Sequence, residues 1–227
     1  MSLNNLGDAL NDLYQCNGEI EGLNEAISLH REALALRPTP DPDRCLSLND
    51  LANALQFHHE HNGDIDALNE AISLHREALA LRPAPHPDRP QSLNNLAYAL
   101  HSLYQYNRNI RSLDECISLA QEALALRPAP TRYRAATLDT LATALLSQFE
   151  RNGVADVLNE ATSLLHQALV LWPPGNINRL HSLEYLVKAL RKRIEATGDD
   201  QDRGKIEVLE AELAALQRAK AKCLHEW

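Results

Sequence analysis

Three neighbouring histidines, His58, His59 and His61, have the types and spacing that first suggest metal chemistry, with His58 and His61 one turn apart on a helix. Comparing the chain with itself weakens that idea. His59 falls where Tyr14, Tyr104 and Phe149 stand, and His58 where Leu13 and Leu103 stand, so both occupy packing positions. No Cys or carboxylate at ligand spacing completes a closed site. His30 and His75 read as half-buried packing residues. The expectation is no metal ion and no cofactor.

Nucleophiles fare no better. Cys16, Cys45, Cys116 and Cys223 are scattered with no CxxC pair and read as free thiols of a reducing compartment. Cys116 replaces Ala26, Ala71 and Ala161, which makes it a small packing residue. The GxSxG, P-loop and HExxH motifs are absent. The chain is expected to be non-enzymatic.

What remains is amides and bases. Asn4, Asn5, Asn49, Asn53, Asn94 and Asn95 form a ladder stepped along the chain. Each amide offers a donor and an acceptor to the backbone of a bound peptide. Asn inside a helix costs about 0.5 kcal/mol against Ala, so its recurrence asks for a reason. The alternative reason is that the amides tie neighbouring segments together. Lys188, Arg191 and Lys192 cluster later in the chain and could hold a carboxylate or phosphate.

Composition narrows the class. The 227 residues are 44% apolar and 23% charged, too apolar for disorder, and no apolar run reaches the length of a membrane span. A net charge of -9 argues against nucleic acid, which is bound through Lys and Arg. No secretory leader is visible at Met1-Ser2-Leu3, so a cytoplasmic location is expected.

The elements that position these residues recur every 45 positions. Ser2-Leu3-Asn4-Asn5-Leu6 returns as Ser47-Leu48-Asn49-Asp50-Leu51 and Ser92-Leu93-Asn94-Asn95-Leu96, with weaker copies at Thr137 and Ser182. The first two full repeats share 29 of 45 residues, far beyond coincidence. Each splits into two helices by 3.6-residue apolar spacing. First helices are predicted near 42–60, 87–105, 132–150 and 177–195, and second helices near 20–37, 65–82, 110–127 and 155–171. Asn-Gly pairs at 17–18, 62–63 and 152–153 end first helices, and Pro38, Pro83, Pro128 and Pro173 end second ones. Asp41, His86, Thr131 and Asn176 are the expected starts, with Pro42 and Pro87 as first helical residues. The predicted class is an all-α, right-handed α-solenoid with a C-terminal capping helix.

The second helix resembles the tetratricopeptide repeat, with Ala26, His30, Ala33 and Pro38 at the family's offsets, then Ala71, His75, Ala78 and Pro83. Cys116, Ala120, Ala123 and Pro128 follow in the third repeat, and Ala161, Leu165, Ala168 and Pro173 in the fourth. In the first helix the family's element appears as Leu6-Gly7 with Leu10, Leu51-Ala52 with Leu55, and Leu96-Ala97 with Leu100. Long repeats of this kind are similar to those of kinesin light chains and of arrays attached to caspase-like (CHAT) peptidase domains. The resemblance covers residues 1–196, in repeats starting near 2, 42, 87, 132 and 177, with residues 203–227 as the capping helix.

The resemblance implies a concave groove lined by the first helices, holding a partner peptide or helix. Asn49, Asn53, Asn94, Asn95, Tyr98, His101, Lys188, Arg191 and Lys192 are its expected contacts. Equivalent groove positions read Asp8, Asn53, Tyr98, Thr143 and Lys188, so the groove should run from acidic to basic, and the partner could be acidic. Pairing with a CHAT protease is a second reading. A homodimer through the first helix is a third, because solenoid ends need caps. No nucleic acid and no membrane are expected as partners.

Overall fold

The computed structural model describes residues 2–127, 132–198 and 200–225; the expected helix stop at Pro128 and start at Thr131 lie outside them. Among the described residues there are ten α-helices and no strand. They fall into two compact bodies, residues 1–112 and 113–227. The first contains α1 (Leu3–Asn17), α2 (Ile20–Ala35), α3 (Arg44–Asn62), α4 (Ile65–Ala80) and α5 (Arg89–Asn107). α6 (Ile110–Ala125) begins at the end of the first body and continues into the second. The second also contains α7 (Arg132–Asn152), α8 (Ala155–Leu171), α9 (Ile177–Thr197) and α10 (Arg203–His225). Consecutive helices pack together from α1 to α5 and from α7 to α10; α1 also meets α3, α3 meets α5 and α7 meets α9. This is the all-α helix-pair architecture predicted from the repeat.

The repeated Leu and Ala positions are the core. Leu23, Leu68 and Leu113 are fully buried, as are Leu48, Leu93, Leu138 and Leu183 from first helices. Ala26, Ala71, Cys116 and Ala161 sit at the tight crossing, and burial pushes the Cys116 thiol up to about 12, so it packs as a small apolar residue. His30 and His75 are wholly buried, not half-buried, and burial lowers both imidazole pKa values, that of His75 to about 4.

The turns follow from local chemistry. Gly18, Gly63, Gly153 and Gly198 close first helices with positive φ. The Asn that precedes each of the first three matters as much. Asn17, Asn62 and Asn152 each accept a backbone N–H two residues on, at 2.9–3.1 Å. In the third repeat Asn107 does the same, but Arg108 takes the left-handed position at φ 56°. A side chain there costs about 1 kcal/mol. Arg108→Gly is therefore expected to raise stability by about 0.5–1 kcal/mol, measurable as a shifted urea midpoint.

Helix starts differ from the prediction. α3 and α5 begin at Arg44 and Arg89, two residues beyond Pro42 and Pro87. Asp41 accepts from the Asp43 N–H at 2.8 Å and so closes a turn ahead of the helix instead of capping it. Among the described starts, Asn176 acts as a cap, accepting from Asn178 N–H at 2.8 Å.

An unforeseen set of arginines joins successive repeats. Arg37 donates to Ser47 Oγ at 2.7 Å, Arg82 to Ser92 Oγ at 2.8 Å and Arg127 to Thr137 Oγ1 at 2.7 Å. Seven residues on, Arg44, Arg89 and Arg134 reach back to the carbonyls of Arg37, Arg82 and Arg127 at 2.9–3.1 Å. These carbonyls lie past helix ends, where no intrahelical donor is left. Arg44 also binds Glu77, 33 residues ahead, and Arg179 binds Glu212 at the same spacing. α10 thus covers α9 in the register of a second helix, with Ile206 buried and Leu209, Leu213 and Leu216 half-buried. Cys223, the last residue of its predicted stripe, has its side chain outside the described set.

Candidate functional site

The predicted contacts in the first body lie on α3 and α5, and the structure sorts them by depth. Asn49 and Asn94 are only 6% and 7% exposed. Asn49 Nδ2 donates to Cys45 O at 2.8 Å, and its Oδ1 lies 3.3 Å from His75 Nδ1. Asn4, their counterpart, donates to Ser47 Oγ at 3.1 Å and Asp50 Oδ2 at 3.0 Å. The open amide ladder is not what these rungs form: all three turn inward, with Asn4 bonding from α1 to α3 and Asn49 facing His75 of α4. His101 is likewise buried and lies 3.2 Å from the Gln105 amide, one turn on, so it is not on an open face. Asn53, Asn95 and Tyr98 remain at the surface of the α1–α3–α5 layer. Asn95 Nδ2 donates to Asn53 Oδ1 at 3.4 Å, and Tyr98 is 43% exposed.

In the second body the basic residues are already answered. Lys188 and Lys192 both reach Glu150, at 2.9 and 3.2 Å, and Arg191 pairs with Glu210. Burial alone would raise the Glu150 carboxyl, but hydrogen bonds from both lysines and their charges hold it below the ordinary value. The expected cationic clamp is here a set of ties from α9 to α7 and α10.

The three histidines do not converge on one point. His59 Nδ1 donates to Asp64 O at 2.9 Å, His58 lies 3.5 Å from the Asp64 carboxylate, and His61 meets the Tyr14 hydroxyl at 3.3 Å. On the opposite layer α2 and α4 flank a cleft of about 490 Å³, spanned by the exposed Arg31–Glu70 pair at 2.8 Å.

With this geometry in place, the decisive likeness is local. Residues 91–126, covering most of α5 and all of α6, match the tetratricopeptide repeat. This segment is a tetratricopeptide repeat. Its 45-residue periodicity places the other helix pairs in the same frame. Among solved structures, a kinesin-light-chain-like protein of Podospora anserina with nearly identical TPR-like repeats is 25% identical, with a TM-score of 0.58 over 95% of this chain and 94% of that one. BtubC (BKLC) from P. vanneervenii is 16% identical, with a TM-score of 0.57 over 97% and 89%. MamA is 18% identical, with a TM-score of 0.54 over 93% and 96%. The last two share the fold alone. No curated protein matches the sequence.

One constellation across the first two 45-residue repeats carries no sequence motif. Asp8 on α1, His30 on α2 and Asp50 on α3 place one ligand-type atom each within 4.8 Å of one another. His30 Nε2 lies 3.9 Å from Asp8 Oδ1 and 3.2 Å from Asn11 Nδ2. Burial and the facing Asp8 charge push the Asp50 carboxyl up to about 7, against the pull of Arg37 and Arg82. The signal that could have found it is internal: Asp8 and Asp50 align with Asn53 and Asn95 one repeat later. No helix among the described residues is long and apolar enough to cross a membrane.

Proposed function

We propose that the chain is a non-enzymatic interaction module that receives a partner peptide or helix on its α1–α3–α5 layer, with Asn53, Asn95 and Tyr98 as contacts. Proteins of this repeat class mediate protein–protein interaction, which makes binding the coarse function. The observation that carries the finer reading is Tyr98, a large aromatic left 43% exposed beside a long amide–amide bond at 3.4 Å. Exposed aromatics of this kind anchor interfaces. A bond that long yields readily to a competing backbone amide. Lys188, Arg191 and Lys192 contribute less in this reading, because Glu150 and Glu210 already compensate them.

The test is selection of peptides from a displayed library against the whole chain, followed by titration. Tyr98→Ala should weaken the selected peptides about tenfold, or about 1.4 kcal/mol, with melting unchanged. Affinity indifferent to Tyr98→Ala and Asn53→Ala would sink the proposal. Light scattering over a wide concentration range shows first whether a second copy of the chain takes the partner's place.

A further inference from the structure

Asn53 on α3 and Asn95 on α5 share an amide–amide hydrogen bond, and α4, between them in sequence, carries buried His75. One repeat earlier both amides are carboxylates, Asp8 and Asp50, while the histidine is retained as His30. Two carboxylates facing each other repel unless a proton or a cation lies between them. A third change fits the same place. Gly7 stands where the other repeats have Ala52, Ala97 and Ala142. A Cβ on Gly7 would lie 2.6 Å from His30 Cε1 and 2.7 Å from Nε2, so only glycine lets the ring approach α1.

Buried polar atoms behind the carboxylates are unspent. His30 is 0% exposed and its Nδ1 has no partner; Asn11 is 7% exposed and its Oδ1 has none. We propose that Asp8, His30 and Asp50 bind a divalent first-row transition ion that joins α1, α2 and α3.

One imidazole and two carboxylates form a mixed donor set suited to zinc, manganese or iron and poorly suited to calcium or magnesium. A tetrahedral ion with bonds of about 2.0–2.2 Å needs donors about 3.4 Å apart. Asp8 is 53% exposed and free to swing inward by the remaining ångström or so. Turning the Asn11 amide over would bring Oδ1 toward the ion as a further oxygen, and Asn4 already holds Asp50 Oδ2 at 3.0 Å, fixing that ligand.

The experiment uses the whole chain without an affinity tag, stripped with chelator and titrated with Zn²⁺ or Co²⁺. The expected result is one ion per chain, visible Co²⁺ ligand-field bands, and a melting temperature several degrees higher with Zn²⁺ but unmoved by Ca²⁺. Asp8→Asn and Asp50→Asn, which recreate the Asn53–Asn95 pattern found one repeat later and should fold, should each lower affinity at least tenfold. The double variant should lose uptake and the Zn²⁺ shift altogether. His58→Ala with His61→Ala should change neither. No stoichiometric uptake by the native chain would overturn the proposal. So would uptake that survives Asp8→Asn with Asp50→Asn and disappears with the His58 and His61 substitutions. Peptide affinity is read separately through Tyr98→Ala, so the two proposals fail independently.

Discussion

Replacing Arg82 with alanine lowers stability by about 3 kcal/mol, measured as a fall in the urea midpoint at unchanged slope. Arg82 is 3% exposed, at the junction of α4 and α5. Its Nη1 donates to the buried Ser92 hydroxyl at 2.8 Å, and Asp88 lies 3.9 Å from Nη2. Truncation opens a void, leaves the Ser92 hydroxyl without this donor and removes a positive charge whose field reaches Asp50. The contrast is Arg31→Ala, which breaks an ion pair of similar length between exposed residues. That variant should lose no more than about 0.5 kcal/mol, because water and salt screen the pair. Equal losses at the two positions would refute the role given to the arginine junction.

That junction shows what the sequence could and could not reveal. Leu23, Leu48, Leu68 and Leu93 are core by spacing alone, since an apolar stripe repeated every 45 residues has to face its neighbours. Helix existence and pairing followed from the same pattern. Arg37, Arg82 and Arg127 were equally periodic, yet arginine beside proline reads as surface, and nothing local marks its guanidinium as buried. The helix starts slipped by two residues because Asp41 and His86 serve a turn, a use of the same side-chain acceptors that composition does not distinguish from a cap.

The candidate contacts divided for a related reason. Residues i and i+4 of a helix share a face, so spacing alone puts Asn49 and Asn53 in one row. The structure turns Asn49 toward His75 and leaves Asn53 with Asn95. The pairing of Lys188 and Lys192 with Glu150 needed two helices 38 or more residues apart in sequence, as did the approach of Asp8 to Asp50. Comparison of repeats nevertheless held the second signal, because a paired Asn-to-Asp change at contacting positions is visible before any coordinates exist.

Asp139 carries the other large effect, and its sign depends on what replaces it. It occupies the position of Asn4, Asn49 and Asn94, while Trp172 occupies that of Arg37, Arg82 and Arg127. Trp172 Nε1 donates to Asp139 Oδ2 at 2.8 Å and Ser182 Oγ to Oδ1 at 2.7 Å, which joins α7, the end of α8 and α9. Burial raises the carboxyl to about 6, and the two hydrogen bonds only partly offset this. A raised carboxyl pKa means the folded state holds the proton more tightly than the unfolded chain. Its stabilising contribution is therefore complete below the ordinary value of 3.8 and is lost as pH rises through about 6. Asp139→Asn keeps an acceptor for the indole and a donor for Ser182 Oγ without the charge. It should match the native chain near pH 4 and exceed it by about 1 kcal/mol at pH 7–8, the difference opening between those values. Asp139→Leu removes both acceptors, strands the Trp172 N–H and should cost about 3 kcal/mol near pH 4, falling to about 2 kcal/mol at pH 7–8 as the native chain loses its own contribution. Urea denaturation of the three proteins from pH 4 to 8 separates the cases. A difference curve between Asp139→Asn and the native chain that stays flat with pH would mean the carboxylate is not held in a costly site.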